Sequence, residues 1–74
     1  GDQSFTLEKI DEIYHVKGQK IKEIVLQTYW DNEDAVEYVH IQLERIGVLP
    51  ALREEGVKDG HTVFLDDMEL EWMW

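Results

Sequence analysis

The sequence predicts an α+β fold: one small domain in which a mostly antiparallel sheet of about four strands packs against two or three helices. Three observations predict it. β-branched and aromatic residues concentrate in short stretches near both ends of the chain, at 5–7, 13–16, 62–65 and 68–74. The middle instead carries apolar residues at helical spacing, punctuated by single glycines. Finally, 74 residues allow a single core, which buries roughly 60% of the surface exposed by the unfolded chain. With no cysteine, that core receives no support from a disulfide or a thiolate-bound zinc ion.

Gly1-Asp2-Gln3-Ser4 has no initiating Met and reads as a tag scar or a disordered end, leaving 5–74 as the domain. Phe5-Thr6-Leu7 alternates as a half-buried strand does. Ile13-Tyr14-His15-Val16 is a second strand after the charged connection from Lys9 to Glu12, and the two could form a hairpin. Beyond Gly18, Ile21, Ile24 and Val25 set one apolar stripe on a helix of about two turns. It ends near Thr28-Tyr29-Trp30, whose rings are expected over the core. Asp31 and Asn32 are both good N-caps, and Ala35, Val36, Val39, Leu43 and Ile46 then trace one face of a longer helix. Glu33, Asp34 and Glu37 favour the positive end of its dipole, and Arg45 the negative end.

Gly47 closes that helix by taking the left-handed conformation. A further short helix is expected from Pro50 to Glu55, anchored inward by Leu52 and ended by Gly56. Asp59-Gly60 marks a turn into a strand at 62–65, joined through Asp66-Asp67 to a last strand from Met68 to Trp74. Alternation puts Met68, Leu70, Trp72 and Trp74 on one face, as core or docking surface, and Glu69 and Glu71 on the solvated one.

Seventeen Asp or Glu against seven Lys or Arg give a formal charge of −10. Direct nucleic-acid binding needs clustered cations to displace phosphate counterions. Here the densest group, Lys17, Lys20 and Lys22, is interrupted by Glu23, so neither nucleic acid nor an anionic membrane is an expected partner. No apolar run approaches the roughly 18 residues that span a bilayer, and no secretory leader is recognisable, which points to a cytoplasmic setting.

Signals for chemistry are weak. A P-loop requires G-x-x-x-x-G-K-[ST], and the nearest fragment, Gly18-Gln19-Lys20, lacks the second glycine and the hydroxyl. The sole serine, Ser4, lies near the end of the chain, and His15, His40 and His61 read as structural or solvated residues rather than catalytic bases. Asp59, Asp66, Asp67, Glu69 and Glu71 could gather at one end of the terminal hairpin and offer oxygen ligands to a hard cation. Their spacing fits no EF-hand loop, and the solvated-face reading is preferred. No catalytic, cofactor-binding or metal-binding residue is therefore assigned. Asp66, Asp67, Glu69 and Glu71 are the candidate partner-binding residues.

One resemblance covers essentially the whole chain. Asp31-Asn32-Glu33-Asp34-Ala35-Val36, Leu43, Ile46-Gly47-Val48, Leu52-Arg53-Glu54-Glu55-Gly56-Val57-Lys58-Asp59-Gly60, Thr62-Val63 and Glu69-Leu70-Glu71-Trp72 follow each other in order. At this spacing they resemble the C-terminal (OCT) domain of bacterial Obg-family GTPases. Val16-Lys17-Gly18-Gln19-Lys20-Ile21 is similar to the family's entry segment. His61 stands where the family usually has Asp, and Leu70 and Trp72 where it has Phe and Tyr. The resemblance implies a fragment of a cytoplasmic GTPase linked to large-subunit ribosome assembly and stress control, with GTP and Mg²⁺ held by the parent's G domain. It implies a noncatalytic regulatory or partner-binding domain whose contacts are that G domain and the ribosome or its proteins. The alternative is an acidic interaction module that binds a basic partner without linkage to nucleotide.

Overall fold

The computed structural model describes residues 3–74; residues 1 and 2, part of the segment read as a scar or disordered end, lie outside the described residues. Its elements, in chain order, are β1 (Thr6–Ile10), β2 (Ile13–Lys17), α1 (Gln19–Gln27), α2 (Glu33–Arg45), α3 (Val48–Glu54), β3 (Thr62–Leu65) and β4 (Met68–Glu71). The four strands form one sheet in the order β1-β2-β3-β4. The outer pairs are antiparallel hairpins, whereas β2 and β3 run parallel, with Tyr14 opposite Val63 and Val16 opposite Leu65. A parallel pair needs a crossover connection. All three helices lie within that one crossover.

Side-chain alternation along the strands produces two unlike faces. Tyr14 and Val16 of β2 and Val63 and Leu65 of β3 point inward and are buried with Ile21 and Ile24 of α1, Val39 and Leu43 of α2, and Val48, Leu49 and Leu52 of α3. Val57 and Trp72 complete this core, and Phe5, Leu7, Val25, Trp30, Ile46 and Leu70 pack around its margin. The intervening strand residues face away from the helices, and none is buried.

Local chemistry accounts for the boundaries. Asn32 caps α2 by accepting from the Ala35 N–H at 3.0 Å, and Glu33 and Asp34 occupy its first turn. Gly47, at φ 89°, turns the chain between α2 and α3 in the left-handed region. The third helix begins two residues before the expected Pro50. Proline tolerates this place because N–H groups in a first helical turn have no intrahelical acceptor. The first strand runs past Leu7 to Ile10, so the expected charged connection shrinks to Asp11 and Glu12. Both take left-handed backbone, φ 51° and 68°, as a tight hairpin turn demands. The last strand stops at Glu71 rather than Trp74. Of the Thr28-Tyr29-Trp30 rings, Trp30 packs on the core and donates its Nε1–H to the Val25 carbonyl at 3.2 Å, but Tyr29 is 77% exposed.

Gly18 is fixed by proximity. A β-carbon there would stand 2.6 Å from the Ser4 carbonyl oxygen and 3.2 Å from the Phe5 α-carbon, both main-chain atoms. Gly18→Ala is expected to destabilise the domain by about 1–3 kcal/mol, seen as a lower urea midpoint. Glu12→Gly should act oppositely, because a non-glycine residue in left-handed backbone costs about 1–2 kcal/mol and glycine's extra unfolded-state entropy cancels only part of that. A thermal melt should show a net gain of about 0.5 kcal/mol.

Candidate functional site

The face of the sheet turned away from the helices carries the candidate site. Register places Glu8, His15, Phe64 and Glu69 in one row across all four strands, and Ile10, Ile13, Thr62 and Glu71 in the next. The His15 and Phe64 rings stack across β2 and β3, with centroids 5.1 Å apart and planes within 10°. The middle of this face is thus aromatic and aliphatic, and carboxylates stand on both outer strands. Lys17 is its cation, at the end of β2 opposite Thr6. Among the described residues no ion pair engages Glu8, Glu69 or Glu71.

Of the predicted partner-binding residues, Glu69 and Glu71 lie on this face, and Asp66 and Asp67 form the turn at its end. Asp66 takes left-handed backbone at φ 56° while its N–H reaches the Val16 carbonyl at 2.8 Å, prolonging the β2–β3 ladder by one bond. Asp59 does not join them. It lies at the opposite end of the hairpin, where its Oδ1 accepts from the Trp74 N–H at 2.8 Å, so the five carboxylates do not converge. Among the described residues no group of three His, Asp or Glu is placed to hold a metal ion. Glu8, His15 and Phe64 were not singled out as site residues from the sequence. Alternation alone could have given their outward direction, but their juxtaposition with Glu69 depends on cross-strand register.

A second cluster forms where the chain leaves β4. Hydrogen bonds from Trp72 N to His61 O at 2.7 Å and from Gly60 N to Trp72 O at 2.8 Å carry the pairing past the strand ends. Trp72 is 2% exposed and is core. Trp74, 43% exposed, meets it edge-on, donates its Nε1–H to the Val57 carbonyl at 2.7 Å, and has the Arg53 guanidinium 4.7 Å from its ring centroid. Arg53 also pairs with Glu44 of α2 at 3.4 Å. His40 sits in this cluster rather than on a solvated helix side. Its ring stacks on Trp72 with centroids 5.2 Å apart, and its two nitrogens face the Val36 and Met73 carbonyls at 3.4 and 3.3 Å. His61 accepts from the Lys58 N–H at 3.0 Å within its turn. All three histidines are thus engaged in packing or backbone contacts.

The cavity between α2 and this segment, bounded by Trp30, Val39, His40 and Trp72 among others, encloses about 190 Å³. That is below the roughly 300–1,000 Å³ of typical small-molecule sites, and its lining is chiefly apolar. On the hairpin β1–β2, Glu12 lies 3.5 Å from the Lys9 ammonium and raises its pKa, with Tyr14 contributing less. No helix of the described residues is long and apolar enough to cross a membrane.

A family model described as a domain of unknown function, DUF1967, matches residues 5–72. The chain belongs to that family, the C-terminal domain of Obg. A protein named GTPase Obg from Symbiobacterium thermophilum is 38% identical over 72 residues, which are 97% of this chain and 17% of that protein. Another of the same name, from Rubrobacter xylanophilus, is 36% identical over 89% of this chain and 16% of its own length. The chain therefore spans about one-sixth of the curated relatives that it matches. An Obg C-terminal domain is distinct from the catalytic G domain, in keeping with the lack of a P-loop in these 74 residues.

The terminal cluster generates a prediction about the Obg C-terminal domain itself. Trp74→Ala removes the indole hydrogen bond to the Val57 carbonyl and the ring beneath Arg53, and should lower stability by about 1–3 kcal/mol in urea titration. The indole N–H of Trp72 should then exchange faster with solvent.

Proposed function

We propose that this domain is a noncatalytic regulatory and partner-binding module of an Obg-type GTPase that acts in large-subunit ribosome assembly and stress control in the cytoplasm. The observation that carries the reading is the family match over residues 5–72, joined to relatives named GTPase Obg. Nucleotide and Mg²⁺ are assigned to the parent's G domain, because holding the phosphates requires a P-loop motif that this sequence lacks. Within the parent, the domain would contact the G domain and the ribosome or its proteins.

The charge suggests how it does so. A domain of formal charge −10 is repelled by RNA phosphates, so its ribosomal contact is with basic protein rather than with nucleic acid. Glu69 and Glu71, with Asp66 and Asp67 at the adjoining turn, are the proposed contact residues. They share the uncovered sheet face with Glu8 and have no competing ion pair among the described residues. Two measurements test the reading. Isothermal titration of the 74-residue chain with GTP should give no heat of binding, and submillimolar affinity would overturn the noncatalytic assignment. Removal of residues 5–74 from the parent should change its GTPase rate or its ribosome association; a parent unaffected in both would show that the domain regulates neither.

A further inference from the structure

We propose that the uncovered sheet face docks an arginine-bearing segment of a basic protein, with a guanidinium resting on the His15–Phe64 ring pair between Glu8 and Glu69. This names the chemistry of the partner proposed above and rests on that reading. The face is open because both hairpin connections are two-residue turns and every helix lies on the other side of the sheet. Its central row presents, in order, a carboxylate, an imidazole, a phenyl ring and a carboxylate. The neighbouring row adds Ile10, which is 50% exposed, and Ile13, with Glu71 at its far end.

That order of groups selects among cations. An ammonium is compact and strongly hydrated, and gains little from a ring stack it cannot lie flat against. A guanidinium is planar and weakly hydrated, so it can stack on an aromatic face while its edge donates to a carboxylate. Here each ring has a carboxylate on the neighbouring strand, Glu8 beside His15 and Glu69 beside Phe64, at the strand spacing of about 4.8 Å, which is within reach of a single arginine side chain. Ile10 and Ile13 offer the apolar surface that its methylene stem, or a neighbouring aliphatic residue, would cover. A second copy of the same chain is disfavoured as occupant, because it would bring Glu8, Glu69 and Glu71 against themselves. Nucleic acid is disfavoured for the same electrostatic reason.

The test uses the isotopically labelled 74-residue chain, titrated with a short peptide alternating arginine and serine and with its lysine counterpart. Amide shifts should concentrate at Glu8, His15, Phe64 and Glu69, and the arginine peptide should bind about threefold more tightly than the lysine one. Glu8→Gln combined with Glu69→Gln should weaken arginine-peptide binding about fivefold. Phe64→Leu should remove the preference for arginine while leaving the spectrum of the helical core in place; if it disturbs the fold, His15→Leu supplies the same readout. Equal affinity for the two peptides, or shifts spread over Glu33, Asp34 and Glu37 of α2, would overturn the proposal. So would a single-stranded RNA that moves the same amides, or a dimer in sedimentation that Phe64→Leu dissolves. A parent carrying both glutamine substitutions separates the two levels of inference. If loss of residues 5–74 alters the parent and the doubly substituted parent behaves as unmodified, the domain's role stands and this surface falls. If the loss alters nothing, the domain's role falls and the peptide titrations alone decide the surface.

Discussion

The parallel pairing of β2 with β3 governs the rest of this fold. Antiparallel neighbours can be joined by two residues, and β1–β2 and β3–β4 are. A parallel pair forces the chain to travel back along the sheet before the second strand can begin. In 74 residues there is one such journey, and α1, α2 and α3 all occur within it. Their buried residues share one core with Tyr14, Val16, Val63 and Leu65. The hairpins, being minimal, contribute nothing that could cover the other side. A two-layer domain with one bare sheet face is therefore a consequence of the connectivity, and the strands accommodate it by alternating inward Val, Leu and Tyr with outward Glu, His, Phe and Thr.

The helical layer needs its own closure, which the residues beyond β4 supply. Trp72 leaves the strand still paired with His61 but packs beneath His40, and so ties the end of the sheet to α2. Its Nε1–H has no partner among the described residues, a cost of about 1–3 kcal/mol. The ring buries about 150–250 Å², which at about 25 cal/mol per Å² contributes about 4–6 kcal/mol, so burial wins. Trp74 then bridges outward. Its backbone and indole bond to the loop after α3, and its ring sits by Arg53, which in turn holds Glu44 of α2. In a small domain with no covalent staple, these contacts join three segments that are distant in sequence.

Much of this was legible in the sequence where local chemistry decides the outcome. The spacing of Val36, Val39, Leu43 and Ile46 and the cap at Asn32 specify α2 almost to the residue, since both signals act within a few positions. The first hairpin was harder to place because Asp11-Glu12 contains neither glycine nor asparagine, yet adopts the left-handed turn that the strand twist requires. Alternation put Trp72 and Trp74 on one face but could not show that the strand ends before both of them. The parallel β2–β3 pairing left no local trace at all, because its partners lie far apart along the chain. For the same reason Glu69 and Glu71 could be read as solvated, whereas their neighbours Glu8, His15 and Phe64 could not be assigned to them. Which residues share a face follows from periodicity; which residues meet across strands follows from register.

Register also decides where the domain's excess negative charge has effect. On the helical side several carboxylates are already engaged: Glu33 and Asp34 lie in the first turn of α2, Glu23 faces Lys20, and Glu44 faces Arg53. On the sheet side, Glu12 is matched by Lys9 at the first turn, but Glu8, Glu69 and Glu71 have no ion pair among the described residues. Exposed pairs of this kind contribute little to stability, about 0–1 kcal/mol each, so their arrangement is better understood through the field they leave than through the energy they supply. Carboxylates without an ion pair among the described residues remain on the helical side as well, Glu37, Glu54 and Glu55 among them, but those of the strands flank an uncovered face. Glu8, Glu69 and Glu71 border the sheet face that the connectivity leaves bare, and there their charge would steer a cation toward the stacked rings.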